Sequence, residues 1–153
     1  MYTKKIRLRV RYADTDKMGY VYYGNYAAYY EVARVETFRS LGHSYKLLEE
    51  SGVMMPVLEM KCSFIKPAKY DDYLSIKASI PELPKVKIKF NYDIYNEQGE
   101  HLNEGFTTLV FINIKTGKPT RIPNIMKELL LPYFKDEENE IDGQDMNLGF
   151  DVG

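Results

Sequence analysis

The residues best placed for chemistry lie between Arg11 and Tyr26, in the run Arg-Tyr-Ala-Asp-Thr-Asp-Lys-Met-Gly-Tyr-Val-Tyr-Tyr-Gly-Asn-Tyr. Two carboxylates, Asp14 and Asp16, sit in a segment of turn and cap formers directly ahead of a long apolar helical pattern. A carboxylate can attack as a nucleophile or accept a proton. The first N–H groups of the following helix have no intrahelical partners and favour negative charge. A helix that is hydrophobic nearly all round belongs in a core, so an acid at its start is expected near buried surface. The plainer account is that Asp14, Thr15 and Asp16 make an Asx turn and cap the helix.

Other candidates are weaker. Glu31 is an alternative carboxylate within the helix, but Arg34 lies three residues on and an i,i+3 ion pair is the simpler expectation. His43 follows the helix end and His101 lies by a hairpin turn, and neither is a convincing base. Cys62 cannot form an internal disulfide and reads as a small hydrophobe in a strand. With two histidines and one cysteine there is no metal-ligand spacing, so no metal is expected.

The elements that must position these groups follow from periodicity. Lys4 to Tyr12 alternates basic and apolar residues as a half-buried strand. The helix is expected to begin near Tyr23 or Gly24, with Asn25 a possible cap, and to stop at Leu41-Gly42. Ser44 to Ser51 reads as a second short helix. Strands are expected at Val57 to Ile65, Tyr73 to Ile80, Val86 to Tyr95 and Leu102 to Ile114, with Val86, Ile88, Phe90, Tyr92 and Ile94 facing inward. Ile122 to Leu131 reads as a last helix. Short connections between consecutive strands indicate an antiparallel sheet, whose concave face must bury against the long helix. The exposed edges of such a sheet favour dimerisation.

A chain of 153 residues with 44% hydrophobic and 28% charged residues is expected to form one globular domain, here residues 1–135, followed by an acidic tail over residues 136–153. That tail carries Asp136, Glu137, Glu138, Glu140, Asp142 and Asp145. The net charge of −1 gives no basic field, so no nucleic acid partner is expected. No apolar run approaches the roughly 20 residues of a membrane span, and the expected location is cytoplasmic.

The run Tyr12 to Tyr26, followed by Tyr30-Glu31-Val32-Ala33-Arg34, resembles the signature of hotdog-fold acyl-CoA thioesterases, in the 4-hydroxybenzoyl-CoA thioesterase branch that includes Tol-Pal-associated enzymes. Pro67-Ala68, Asp71-Asp72, Leu74 and Ile122-Pro123 are similar to that branch. The resemblance implies an α+β hotdog fold, an antiparallel sheet of about five strands wrapped around a long central helix. It implies that Asp16 is the catalytic carboxylate and that Tyr23, through its backbone N–H, helps hold the thioester carbonyl. It further implies an acyl-CoA substrate, no cofactor beyond the coenzyme A of that substrate, and a homodimer or homotetramer.

The chemistry is consistent with so small a set of groups. A thiol leaving group has a pKa near ~8.5, so no strong general acid is needed, and one carboxylate with an oxyanion site can suffice. The N–H groups of Tyr23 and Gly24 are the oxyanion candidates. A carboxylate of pKa near ~4 is a weak base for water, which slightly favours direct attack by Asp16 and leaves general-base catalysis open. Lys85, Lys87 and Lys89 are possible contacts for the coenzyme A phosphates, with Lys66, Lys69 and Arg121 nearby in loops, although a solvated face also explains them. Tyr20, Tyr22 and Tyr26 are expected to shape an acyl pocket. The contrasting function is a non-catalytic hotdog module that binds acyl-CoA or acyl carrier protein, for which no carboxylate at Asp16 is required.

Overall fold

A computed structural model describes residues 1–42 and 45–135 of the chain. The acidic segment 136–153 and His43 lie outside the described residues. Five strands make one antiparallel sheet in the order β1-β4-β5-β6-β3, where β1 is Tyr2–Arg9, β3 Val57–Phe64, β4 Tyr73–Ile80, β5 Lys87–Tyr95 and β6 His101–Val110. Helix α1, Tyr26–Ser40, packs on its inner face. Short helices α2, Tyr45–Glu50, and α3, Asn124–Leu130, complete the outline with a two-residue strand pair, β2 Val53–Met54 and β7 Ile112–Asn113.

Strict alternation produces the one-sided sheet. Ile88, Phe90, Tyr92 and Ile94 of β5 are buried, whereas Lys87 and Lys89, which flank Ile88, are exposed. On β4 the residues Leu74, Ile76, Ala78 and Ile80 are fully buried, and Ile76 pairs with Ile94 across the ladder. The helix docks through its aromatic rings. Tyr30 stacks on Tyr92 with centroids 4.2 Å apart and planes within 5°, and Phe38 meets Phe90 edge-on at 5.5 Å.

Three expectations are corrected. Helix α1 is not covered all round: Tyr26, Tyr29, Tyr30, Ala33, Thr37 and Phe38 are buried, but Ala27, Ala28, Glu31 and Val32 are exposed. The Glu31–Arg34 ion pair does not form, because Arg34 belongs to the buried face. Its Nε donates to the Tyr45 hydroxyl at 2.9 Å and its Nη1 to the Tyr92 hydroxyl at 3.1 Å. The last long strand is interrupted at Phe111, which is fully buried and donates its N–H to Val86 O, so Ile112 and Asn113 leave the main sheet to pair with β2.

The sheet ends at two edges, β1 and β3. Strand β3 exposes a row of apolar side chains, with Leu58 53% and Phe64 58% accessible and Val57 and Met60 similar, and Val57, Met60 and Phe64 pair with the buried Leu109, Thr107 and Asn103 of β6. No described helix is long and apolar enough to cross a membrane.

Candidate active site

The segment after β1 is built by short-range hydrogen bonds. A single 3-10 turn covers Tyr12–Asp14, and a tight turn then runs from Asp16 to Tyr20, closed by Asp16 N–H donating to Tyr20 O at 2.8 Å and Gly19 N–H to Asp16 O at 3.0 Å. Gly19 has φ +76°, the left-handed conformation that glycine adopts without a Cβ penalty. Within this turn Asp16 Oδ1 accepts the N–H groups of Met18 at 2.9 Å and Tyr20 at 3.3 Å. Its Oδ2 makes no hydrogen bond among the described residues. One oxygen is therefore held and the other is unengaged among the described residues.

A second 3-10 turn, Tyr23–Asn25, leads into α1. This places the expected helix start at Tyr23, with the regular helix three residues later. Asn25 does not cap the helix with its side chain. Its Nδ2 donates to Asp14 O at 2.8 Å instead. The Tyr22 N–H also donates to Asp14 O, at 2.9 Å, whereas the N–H groups of Tyr23 and Gly24 have no acceptor among the described residues.

Asp16 and Tyr23 line one cleft of about 340 Å³. Its other walls include Tyr20, Val21, Tyr26 and Phe64, and the Tyr26 and Phe64 rings meet edge-on at 5.4 Å. Lys66 brings a cation to the same cleft and pairs at 2.7 Å with Glu100, whose carboxyl its hydrogen bond holds below the ordinary value. Of the expected pocket aromatics, Tyr20 and Tyr26 are present. Tyr22 is not a wall: it is exposed and packs on the Tyr23 ring at 4.6 Å.

Several expected groups lie elsewhere. Glu31 is exposed on α1 and does not line the cleft. Lys85 precedes β5 and is not part of it. Lys87 pairs with Val110 at one end of β6, whereas Phe64 pairs with Asn103 toward the other. Lys87 and Lys89 also point away from α1, so within one chain the lysine row and the cleft are not brought together. The one grouping of possible metal ligands among the described residues, Asp93, His101 and Glu104, is outside the cleft, with His101 Nε2 3.0 Å from Asp93 Oδ1.

The buried acid is Asp14, not Asp16. Asp14 is 5% exposed, while Asp16 is open to solvent. Burial pushes the Asp14 carboxyl up, but the guanidinium and backbone N–H of Arg11, the Tyr29 hydroxyl and the Arg11 charge outweigh it and hold it below the usual carboxylate value. Tyr29 is correspondingly raised, by burial first and by its bond to Asp14. Sequence reading missed this anchor, because nothing in the spacing of Asp14 and Tyr29 marks them as partners. It also missed Phe64, which the pattern shows only as a strand end.

The sequence profile of the thioesterase superfamily matches residues 18–102. Acyl-CoA thioester hydrolase YbgC of Escherichia coli is 34% identical over 116 residues, covering 76% of this chain and 87% of that protein. The chain belongs to the thioesterase superfamily. Acyl-CoA thioesterase YbgC of Helicobacter pylori is 35% identical over 133 residues, with 82% and 98% of the two chains covered. Among solved structures, the DHNA-CoA thioesterase of Staphylococcus aureus is 33% identical and superposes with a TM-score of 0.75, covering 97% of this chain and 95% of its own. The five-stranded antiparallel sheet on one long helix is thus the hotdog fold of thioesterase-superfamily hydrolases, as the resemblance implied.

Proposed function

We propose that this chain hydrolyses acyl-CoA thioesters to a free acid and coenzyme A, with Asp16 attacking the carbonyl and the Tyr23 and Gly24 N–H groups receiving the oxyanion. One observation carries the reading. Asp16, a carboxylate with an unengaged oxygen, and Tyr23, the first residue of a helical turn with unengaged N–H groups, line the same aromatic-walled cleft. In the first step Asp16 Oδ2 bonds to the thioester carbon and the carbonyl oxygen becomes the oxyanion. Its collapse breaks the C–S bond, releases the coenzyme A thiolate to be protonated by solvent, and leaves a mixed anhydride on Asp16. Water then cleaves the anhydride, yielding the acid and regenerating the carboxylate. No cofactor enters, since coenzyme A is part of the substrate. The coenzyme A and acyl-CoA in the names of the relatives support this substrate class.

Lys66 is the cation best placed for the coenzyme A phosphates, with Lys69 in the adjoining hollow of about 300 Å³. The working unit is a homodimer formed by antiparallel pairing of two β3 edges, which buries Leu58, Met60 and Phe64 and satisfies the edge N–H and C=O groups. That pairing turns the lysine-bearing end of one sheet toward the Phe64 end of the other. Lys87 and Lys89 stay on the face away from α1 in such a pair, so Lys85, in the loop ahead of β5, is the lysine of that end left to serve the phosphates, and a tetramer would add a second dimer. A cytoplasmic setting accords with this substrate.

The test is thiol release from a panel of aliphatic and aromatic acyl-CoAs by the full chain. Turnover of at least one member is expected, and absence of thiol release across the panel removes the reading.

A further inference from the structure

Asp14 does not line the cleft, yet more bonds converge on it than on any other residue of the catalytic segment. Its Oδ2 accepts the Arg11 N–H at 3.1 Å and the Tyr29 hydroxyl at 2.9 Å, and its Oδ1 accepts Arg11 Nη2 at 3.0 Å. Its carbonyl oxygen accepts the Tyr22 N–H at 2.9 Å and Asn25 Nδ2 at 2.8 Å. The side chain is thus fastened to the first turn of α1, and the main chain to the turn that bears the unengaged N–H groups. Asp16 follows two residues later, past Thr15, which forms an isolated antiparallel bridge with Val21.

A turn alone would not need this arrangement. An exposed Asn or Ser closes an Asx or ST turn at little cost, whereas a buried carboxylate carries a desolvation penalty that its hydrogen bonds must offset. What the buried carboxylate adds is a rigid span. The carboxylate of Asp16 and the N–H groups of Tyr23 and Gly24 sit on two separate turns, and Asp14 is the residue bonded to both the helix and the second turn. Catalysis is sensitive to that span, since a misplacement of about 1 Å can cost on the order of 10²-fold in rate.

Resting on the thioesterase reading above, we propose that Asp14 is the positioning residue of the reaction, setting Asp16 in register with the Tyr23 and Gly24 N–H groups through Tyr29 and Asn25. It touches neither substrate nor the reacting atoms. Its loss lowers kcat and leaves KM nearly unchanged, because the walls that bind the acyl group are not part of the lashing.

The test uses the full chain with Asp14→Asn, Tyr29→Phe, Asn25→Ala and the double variant Tyr29→Phe/Asn25→Ala, measuring kcat, KM and Tm at a temperature well below every transition. Expected is a kcat loss of about 10-fold for each single removal of a bond and up to about 10² for Asp14→Asn, with KM within about twofold. The double variant should fall below either single variant, since Tyr29 holds the Asp14 carboxylate and Asn25 holds its main-chain carbonyl, a bond that Asp14→Asn leaves in place. Should Asp14→Asn fail to fold, the Tyr29→Phe and Asn25→Ala measurements decide. Lower Tm with unchanged kcat in these variants would make Asp14 merely structural and overturn the proposal while wild-type turnover keeps the thioesterase reading intact. Retained activity in Asp16→Asn with complete loss in Asp14→Asn would overturn it in another way, by making Asp14 the reacting carboxylate. Absence of turnover in the wild type would remove the underlying reading itself.

Discussion

Replacing Tyr23 by proline removes one N–H from the turn with little else disturbed. Tyr23 is the first residue of the 3-10 turn, where the fixed φ of proline is already suitable. Tyr22 before it is extended, with φ −60° and ψ 133°, which is the conformation that a residue preceding proline requires. The Tyr23 N–H donates to no described acceptor, so folding loses no hydrogen bond. Stability should therefore change by less than about 1 kcal/mol, or a Tm shift of roughly 2–4 °C. Catalysis is a different matter, because removal of one oxyanion donor typically costs about 10²–10³ in kcat, or about 2.7–4 kcal/mol. The control is Tyr23→Ala, which keeps the N–H and loses the ring stacked on Tyr22. Thiol-release kinetics at saturating acyl-CoA should place Tyr23→Pro about 10²–10³ below Tyr23→Ala. A ratio below about five, with both variants folded, would refute the claim that this N–H stabilises the transition state.

Three further outcomes follow from the geometry. A Cβ at Gly105 would lie 2.2 Å from Lys61 O and 2.5 Å from the Tyr30 hydroxyl, so Gly105→Ala should cost roughly 2–4 kcal/mol through overpacking and loss of the Tyr30–Asn103 bond. Calorimetry should show Tm lower by about 5–15 °C, and an unchanged Tm would contradict the close approach. Met60→Lys places a charge in the middle of the exposed β3 edge and should shift the chain from dimer to monomer in sedimentation velocity, whereas an intact dimer would move the interface off β3. The carboxyl of Asp14 lies below its ordinary value in the fold, so it contributes stability that is complete above its unfolded pKa of about 3.9 and is lost as pH falls through the folded value. In urea unfolding the wild-type advantage over Asp14→Asn should therefore hold from neutral pH down to about 4 and shrink below it, and an advantage that persists at lower pH would contradict the low folded value.

Much of this was legible in the sequence where one physical signal dominates. Alternation marks β4 and β5 because a sheet with one covered face enforces it at every residue, and Leu41-Gly42 stops α1 with Gly42 at φ +83°. The long-range partners were not legible. Arg34 is three residues from Glu31 in the chain, but the helical period puts it toward Tyr92, and tertiary burial decides its partner. The exposed face of Ala27, Ala28 and Val32 looks apolar in sequence whether it packs in a core or against another subunit. Asp14 lies off the cleft, and the reach of its bonds was not legible, because Tyr29 and Asn25 read equally well as a core aromatic and a helix cap.

The central claim is that Asp16 is the group that attacks, and steady-state thiol release by wild type, Asp16→Asn and Glu31→Gln on the best acyl-CoA of the panel measures it most directly. The amide keeps an oxygen to accept the Met18 and Tyr20 N–H groups, so the turn should stay folded while the nucleophile is lost. The expected result is a fall in kcat of at least about 10³-fold for Asp16→Asn, with wild-type rates for Glu31→Gln. Full activity in Asp16→Asn, with loss in Glu31→Gln, would contradict the account and move the catalyst into helix α1.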